Sequence, residues 1–275
     1  MRKINKIKLF VNDNLKSRNV SEILIEKLKE KDFEIVEDTF DLGIAIGGDG
    51  SFLRMVKDSN FNSDCYYVGI NAGTLGFAQD VSIDESQPIE PQLLSAYTRY
   101  VISMDTFKCE EIGVQEIEIT TDDSVSRHFS LNEFVVRDGH LSVTKLAVKI
   151  EDVLLENYVG DGILVATSFG STAYNMSLGG SIVYNTFHTL QITPIAPLNS
   201  KVYRNLLVPV IVPQDKIISL VPSVEKRDLI IIIDGEKQSY YNVNKIDTFV
   251  DKKTIKIVRM TDYNFAKKIC DKFVK

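Results

Sequence analysis

The stretch Leu42-Gly43-Ile44-Ala45-Ile46-Gly47-Gly48-Asp49-Gly50-Ser51-Phe52-Leu53 decides how the first third of the chain folds. Its apolar start, residues 42–46, is typical of a buried strand, and residues 51–57 are typical of a helix. The glycines between them allow a sharp turn and a close approach of the backbone to a ligand. Because a helix N-terminus attracts anions, this strand, loop and helix predict a phosphate site.

Asp49 is the one charged residue of that glycine loop. A carboxylate repels phosphate, so it suits simple anion binding poorly. It suits a site where it holds a metal or takes a proton from an attacking hydroxyl, and both roles belong to phosphoryl transfer. The alternative is an ordinary strand-to-helix turn, in which Asp is a common residue.

The surrounding sequence alternates strands and helices. Apolar runs at 6–11, 33–36 and 66–70 join the strand at 42–46, and helical spacing appears around 20–28. This pattern predicts an α/β N-terminal domain with a parallel sheet. A second glycine-rich loop, 71–77, follows the strand at 66–70, so both loops lie at the carboxyl ends of strands, where ligands bind in such sheets.

Beyond about residue 100 the chain becomes rich in short strands and predicts a β-rich, antiparallel C-terminal domain. Residues 254–258 and 264–274 then read as a strand and a helix, and we expect this C-terminal segment to pack back on the first domain. The predicted domains are 1–100 with about 255–275, and 101–254.

Composition narrows the class of protein. The 275 residues carry a net charge of −6, which argues against nucleic acid as a partner. No apolar stretch approaches the roughly 18 residues of a membrane span, and the basic start does not resemble a signal peptide. Three scattered cysteines form no disulfide framework and no metal-ligand pattern, so we expect no metal site built by the protein and a cytoplasmic location.

The second domain carries polar motifs that a core would not need. Asn132 and Glu133 precede an apolar run and can read sugar hydroxyls or an adenine edge, although a turn pair is the alternative. Asp161 lies between two glycines and is a second isolated acid like Asp49, which suits a ligand site. The alternative interpretation is a type I′ hairpin turn. The hydroxyl-rich stretch 167–180 is suited to a ligand surface.

Together, the motifs at 47–53, 71–77, 131–133, 160–162, 170–174 and 195–197 resemble the NAD kinase family. The resemblance implies the two-domain fold expected above, with NAD binding in the second domain. It implies transfer of a phosphoryl group from ATP to the 2′-hydroxyl of the adenosine ribose of NAD, giving NADP. It also implies Mg²⁺, or another divalent cation, bridging the ATP phosphates, and assembly as a homodimer or homotetramer.

The resemblance also implies roles for individual residues. Asp49 would be the catalytic residue, acting as general base or hydroxyl-orienting acid, and Tyr174 would stack on adenine. The residues that would bind phosphate and ATP are Gly47, Gly48, Gly50 and Ser51. Those that would bind NAD are Asp49, Gly50, Phe77, Asn132, Glu133, Asp161, Ser171, Thr172, Ala173, Tyr174, Asn175, Met176, Ser177 and Ala196.

Two other interpretations stay open. The glycine-aspartate motif also occurs in kinases of lipids and sugar phosphates, although the hydroxyl-rich stretch argues against a lipid acceptor. No basic cluster near the motifs favours a sugar phosphate. A non-catalytic dinucleotide sensor would keep the polar motifs of the second domain, and the intact loop around Asp49 argues against it.

Overall fold

A computed structural model describes residues 4–72, 76–83, 87–97, 108–140, 142–223, 227–250, 252–259 and 262–274. Residues 73–75 of the second glycine-rich loop lie outside the described residues. The chain divides into two compact units, one of Met1–Ile112 with Thr254–Lys275 and one of Gly113–Lys253.

The first unit begins as an alternating α/β structure. Helix α1 starts because the Asn14 side chain caps it, accepting a hydrogen bond from Ser17 N at 2.8 Å. The apolar residues of β3 are all buried, as expected for a strand covered on both faces. The elements in chain order are β1 (Lys6–Val11), α1 (Leu15–Lys29), β2 (Glu34–Ile35), β3 (Leu42–Ile46), α2 (Asp49–Asp58), β4 (Tyr66–Asn71), β5 (Val81–Ser82), α3 (Ile89–Tyr97) and β6 (Lys108–Gly113).

The second unit is a single antiparallel sheet with short helical pieces. Its strands are β7 (Gln115–Thr121), β8 (Val125–Ser130), β9 (Glu133–Asp138), β10 (Thr144–Ile150), β11 (Val153–Gly160), β12 (Gly162–Thr167), β13 (Thr189–Ile195), β14 (Val210–Pro213), β15 (Ile218–Pro222), β16 (Arg227–Ile233) and β17 (Glu236–Phe249). A 3-10 turn (Phe169–Thr172) and the short helix α4 (Tyr174–Ser177) follow β12. The strand order is β11-β10-β15-β17-β16-β9-β12-β13-β14, and β7 joins β17 and β8.

The two faces of β9 and β12 pack in different clusters because successive side chains point to opposite sides of a strand. Phe134, Val136, Ile163 and Val165 lie in the main core of the unit. Val135, Leu164 and Ala166 lie in a smaller cluster with Ile195, against which Leu178 packs. The polar motifs of this unit lie beside this second, smaller cluster.

The chain then returns to the first unit. Strand β18 (Thr254–Arg259) pairs in parallel with β4, and helix α5 (Phe265–Phe273) follows. The first sheet has the order β2-β1-β3-β4-β18-β6, with β5 also paired to β4. The predicted fold class is confirmed: a parallel-sheet α/β unit, a β-rich antiparallel unit, and a C-terminal segment that belongs to the first.

Candidate functional site

Asp49 occupies the first position of α2, directly after Gly48 in extended conformation. Its carboxylate accepts three hydrogen-bond contacts from the loop after β4: from Phe77 N at 2.8 Å to Oδ1 and 2.9 Å to Oδ2, and from Ala78 N at 2.9 Å to Oδ1. The side chain keeps 36% of its surface exposed. Asp49 is therefore anchored by backbone amides and still open on one side.

Close packing at the start of α2 explains why two nearby positions are glycine. A Cβ at Gly76 would lie 2.6 Å from Asp49 Oδ1 and closer still to the Gln79 side chain. Gly47 has φ +153°, and a Cβ there would lie closer than 3.0 Å to Ser51. Both positions exclude a side chain, so each of the two loops has to be glycine at its contact: Gly76 beside Asp49, and Gly47 beside Ser51.

The other two loop glycines have free space above them. A Cβ at Gly48 or Gly50 would meet no atom within 4 Å. Ser51 is buried, and its amide donates to Gly48 O at 3.0 Å. The start of α2 thus presents an open backbone surface and the positive end of a helix dipole, beside a single carboxylate.

Helix α5 packs against the loop after β4, which carries Phe77. Phe77 lies between two rings of this helix, with centroid distances of 5.6 Å to Phe265 and 5.6 Å to Phe273. Lys272 Nζ lies 3.5 Å from Asp49 Oδ2. The helix therefore contacts both the catalytic candidate and the residue whose amide holds it.

A buried cluster of charged side chains also holds residues 77–80 of this loop. Arg259, 2% exposed, contacts Asp80 at 2.9 Å and Glu110 at 2.7 Å, and donates to Ala78 O at 3.0 Å. Lys268 contacts Asp80 at 3.0 Å. Burial lowers the pKa of Lys268, although Asp80 opposes that effect. Strand β18 and helix α5 thus hold residues 77–80 in place.

In the second unit, Asp234 organises the segment that carries Asn132 and Glu133. Its carboxylate accepts hydrogen bonds from the amides of Leu131 at 2.7 Å, Asn132 at 2.8 Å and Glu133 at 3.2 Å. Asp234 has φ +45° in the two-residue turn between β16 and β17. Desolvation nevertheless raises the pKa of Asp234 to about 6.

Glu133 is buried and its Oε2 has no hydrogen-bond partner among the described residues. Desolvation, and secondarily Asp234, raise the pKa of Glu133 to about 8. A carboxyl kept neutral near pH 7 both donates and accepts a hydrogen bond. An unsatisfied buried carboxyl beside a half-buried Asn132 is suited to a polar ligand, since such groups are normally paired.

The stretch after β12 lies directly beside Asn132. A Cβ at Gly170 would lie closer than 3.0 Å to the Asn132 carbonyl, so glycine permits backbone contact there. Tyr174 and Ser177 are exposed, Ala173 and Met176 are half-buried, and Thr172 is buried.

Two other residues of this stretch serve its internal structure. The Ser171 hydroxyl donates to Val183 O at 3.2 Å and accepts from Val183 N at 3.0 Å. The Asn175 amide oxygen accepts from Thr193 Oγ1 at 2.6 Å, and Asn175 is fully buried. The side chains of Ser171 and Asn175 are thus bonded within the protein, and they shape the surface that Tyr174 and Ser177 present.

Asp161 is exposed at the junction of β11 and β12, which pair with different strands. The hairpin-turn interpretation of Asp161 is therefore wrong, because no hairpin joins these strands. Ala196, whose carbonyl oxygen lies close to Gly160, is exposed and has φ +44°. A non-glycine residue in this conformation is strained, and such strain concentrates at functional sites.

Arg137 of β9 contacts Tyr174 of the stretch after β12. Its Nη2 donates to Tyr174 Oη at 3.4 Å, and its buried Nε has no partner among the described residues.

The predicted residues thus form one group in the first unit, Gly47–Ser51 with Phe77, and two groups in the second. Asn132, Glu133 and residues 171–177 lie at the carboxyl end of β12, where Thr167 N donates to Asn132 O, whereas Asp161 and Ala196 lie at its start, where Asp161 N donates to Ile195 O.

The comparisons with known proteins decide the family. The family model described as the ATP-NAD kinase C-terminal domain matches residues 131–259. A NAD kinase of Finegoldia magna is 37% identical over 98% of this chain and 97% of its own length. NAD kinase 2 of Bacillus subtilis is 32% identical over 90% of this chain and 89% of its own.

The chain belongs to the NAD kinase family. Two solved structures show the same fold at 20% identity. A yeast NADH kinase complexed with NADH has a TM-score of 0.81 over 98% of this chain and 87% of that one. An NAD kinase from Archaeoglobus fulgidus in complex with ATP has a TM-score of 0.68 over 93% of this chain and 94% of that one.

Sequence reasoning assigned no role to three residues that the structure places against the candidate site residues of the two units: Lys272 in the first, and Arg137 and Asp234 in the second. Asp234 looked like an ordinary turn residue, because Asp-Gly is common in hairpins and nothing local shows where its carboxylate points. Arg137 lay inside a strand pattern without a motif. Lys272 lies next to the apolar stripe of α5, formed by Phe265, Ile269 and Phe273. That stripe predicts that the helix packs against the first unit, but it does not predict the contact of Lys272 with Asp49.

The described ranges lack a preformed metal cluster and a membrane-spanning helix. They contain no group of three or more His, Cys, Asp or Glu side chains placed to hold a metal ion. Among the helices assigned there, none combines the length and the apolar character needed to cross a bilayer.

Proposed function

We propose that this member of the NAD kinase family transfers the γ-phosphoryl group of ATP to the 2′-hydroxyl of the adenosine ribose of NAD, giving NADP. The observation that carries the proposal is the Asp49 carboxylate, anchored by the Phe77 and Ala78 amides beside the open backbone of Gly48 and Gly50. This arrangement supplies an acceptor group and an anion-binding surface at one helix terminus.

Asp49 would orient the attacking hydroxyl and accept its proton. An ionised carboxylate has about four lone-pair positions, and the two backbone amides leave Oδ2 able to accept a further hydrogen bond. A loose phosphoryl-transfer transition state demands positioning and charge neutralisation more than strong proton abstraction. Fixing the carboxylate rigidly is therefore the main contribution expected of the loop.

The second unit would bind NAD. Asn132 and the neutral Glu133 would form hydrogen bonds with ribose and adenine, and Asp161 would contact the nicotinamide end or a ribose. Tyr174 would stack on adenine, with Thr172, Ala173, Met176 and Ser177 lining the surface, while the buried Ser171 and Asn175 shape it. Ala196 would contribute backbone contacts.

Mg²⁺, or another divalent cation, would enter as part of the substrate. Bound with ATP, it would neutralise the charge that develops on the phosphates during transfer. The phosphates would be bound by Gly47, Gly48, Gly50 and Ser51. The cation would need few protein ligands, because ATP itself would hold it.

We also propose a homodimer or homotetramer in the cytoplasm. Large apolar side chains are exposed on the end strand β11, with Val153 at 70% and Leu154 at 50%, and on the loop before β14, with Leu207 at 53% and Val208 at 63%. Leu206 N donates to Glu156 Oε2 at 2.9 Å, which places this loop beside β11. Contiguous exposed apolar surface is typical of subunit interfaces.

The test is formation of NADP from NAD, ATP and Mg²⁺, detected with an NADP-specific dehydrogenase. Asp49→Asn keeps the size of the side chain and removes its charge, so we expect at least a ~10²-fold loss of kcat. Asp58→Asn, exposed at the other end of the same helix, is the matched control and should retain the parent rate. A folded parent that forms no NADP would refute the proposed activity.

A further inference from the structure

Lys272 places a cation against the one carboxylate of the glycine loop. Its Nζ lies 3.5 Å from Asp49 Oδ2, and the two side chains are 24% and 36% exposed. This ion pair joins residues at opposite ends of the chain, and both partners retain access to solvent. A small anionic group can therefore approach both of them.

The position of Lys272 is defined by aromatic rings. Its ammonium lies 5.0 Å from the centroid of Phe77 and 5.8 Å from that of Phe273, within the range of cation–π attraction. Phe77 is also the residue whose amide donates to both Asp49 oxygens. The same ring thus orients Lys272 while its own backbone orients Asp49.

The neighbouring lysine of α5 is already engaged elsewhere. Lys268 donates to Gln79 O and contacts Asp80 at 3.0 Å. Lys267 is exposed on the outer side of the helix. Of these three lysines, Lys272 is the one that faces Asp49.

An anionic phosphate donor has to approach a loop whose only charged side chain is the carboxylate of Asp49. Like charges a few ångströms apart repel, and an opposite charge next to one of them removes much of that repulsion. We propose that Lys272 is a positioning residue of the kinase site: it fixes the orientation of Asp49 and offsets its charge, so that the polyphosphate of ATP can bind beside it. This inference rests on the proposed function.

The experiment is a double-mutant cycle on ATP binding, measured by titration calorimetry of the full chain with MgATP and no acceptor. Lys272→Met keeps the aliphatic contact with Phe77 and removes the charge. In the parent background it should weaken ATP binding about 3- to 5-fold, the upper end of what one partly exposed ion pair contributes. In the Asp49→Asn background, where no carboxylate remains to offset, it should change the ATP Kd less than about 2-fold.

Turnover supplies the second readout. Lys272→Met should lower kcat about 10-fold and leave the KM for NAD within about 2-fold of the parent, while Lys272→Arg restores most of both losses. Lys267→Met, on the same helix, is the matched control and should behave as the parent. Thermal melts of each variant show whether it is folded.

Two outcomes would overturn the inference. Equal weakening of ATP binding in both backgrounds would mean that Lys272 contacts phosphate directly. An unchanged ATP Kd in the parent background would mean that the ion pair has no part in binding. Failure of the proposed function looks different, since the parent would then form no NADP while the binding cycle remained measurable.

Discussion

At the scale of single residues, Gly76 shows how tightly the candidate catalytic carboxylate is packed. Adding a methyl group there would bring a carbon to 2.6 Å from Asp49 Oδ1 and push against Gln79. Gly76→Ala should therefore displace the carboxylate, lowering kcat about 10²-fold while leaving the KM for NAD near its parent value. Steady-state kinetics, with melting temperature as control for folding, measure this. A parent-like kcat would show that the carboxylate tolerates displacement.

Glu133 makes a prediction about stability and pH. Its folded-state pKa of about 8 lies above the ordinary 4.5, so between these values the unfolded chain has released a proton that the folded protein keeps. Stability therefore falls as pH rises through this window. Between pH 6 and 8 the parent should lose about 2 kcal/mol of stability relative to Glu133→Gln, which retains Asp234.

Urea unfolding at pH 6 and pH 8 measures that difference. Glu22→Gln, at an exposed position of α1, is the control, and it should follow the pH dependence of the parent. A Glu133→Gln variant with the same pH dependence as the parent would mean that Glu133 is ionised in the folded protein.

At the scale of elements, helix α5 holds the loop that holds Asp49. Phe273 is 39% exposed, yet it stacks on Phe77. Phe273→Ala should lower global stability only modestly, about 1 kcal/mol, because much of the ring is already in water. It should loosen the Phe77 and Ala78 amides, and faster hydrogen exchange at these two amides with a kcat reduced about 10-fold is the expected result.

Val274→Ala is the matched control for that experiment, since Val274 is 76% exposed next to Phe273. Unchanged exchange at Phe77 in Phe273→Ala would show that the buried cluster of Arg259 and Asp80 holds the loop without help from the ring.

The elements also show what could be predicted from sequence. The strand at 42–46 and the glycine loop carry their own local signals, so the parallel sheet and the strand, turn and helix around the loop were predicted correctly, and phosphate binding there stays a prediction. The ion pair of Asp49 with Lys272 depends on where α5 docks, and no local pattern specifies that. At Asp161 the local pattern favours the alternative that the structure excludes: Gly-Asp-Gly is typical of a hairpin, but β11 and β12 pair with different strands.

At the scale of the whole molecule, the second unit is inserted between β6 and β18 of the first. Val114 N donates to Lys253 O at 2.9 Å, so the chain leaves and re-enters at one place. We expect residues 1–112 alone to remain unfolded, because β18 lies between β4 and β6. Joining 112 to 254 through a short glycine linker should restore a cooperative melt, measured by circular dichroism.

The return of the chain has a consequence for biosynthesis. The ribosome makes the glycine loop about 220 residues before the helix that carries Lys272. A nascent or prematurely ended chain therefore displays Asp49 without the rings and cation that hold it in place. Competence for phosphoryl transfer would then be acquired only after this helix has been made and has docked, so a translation product truncated before it would be inert even when its inserted domain is already folded.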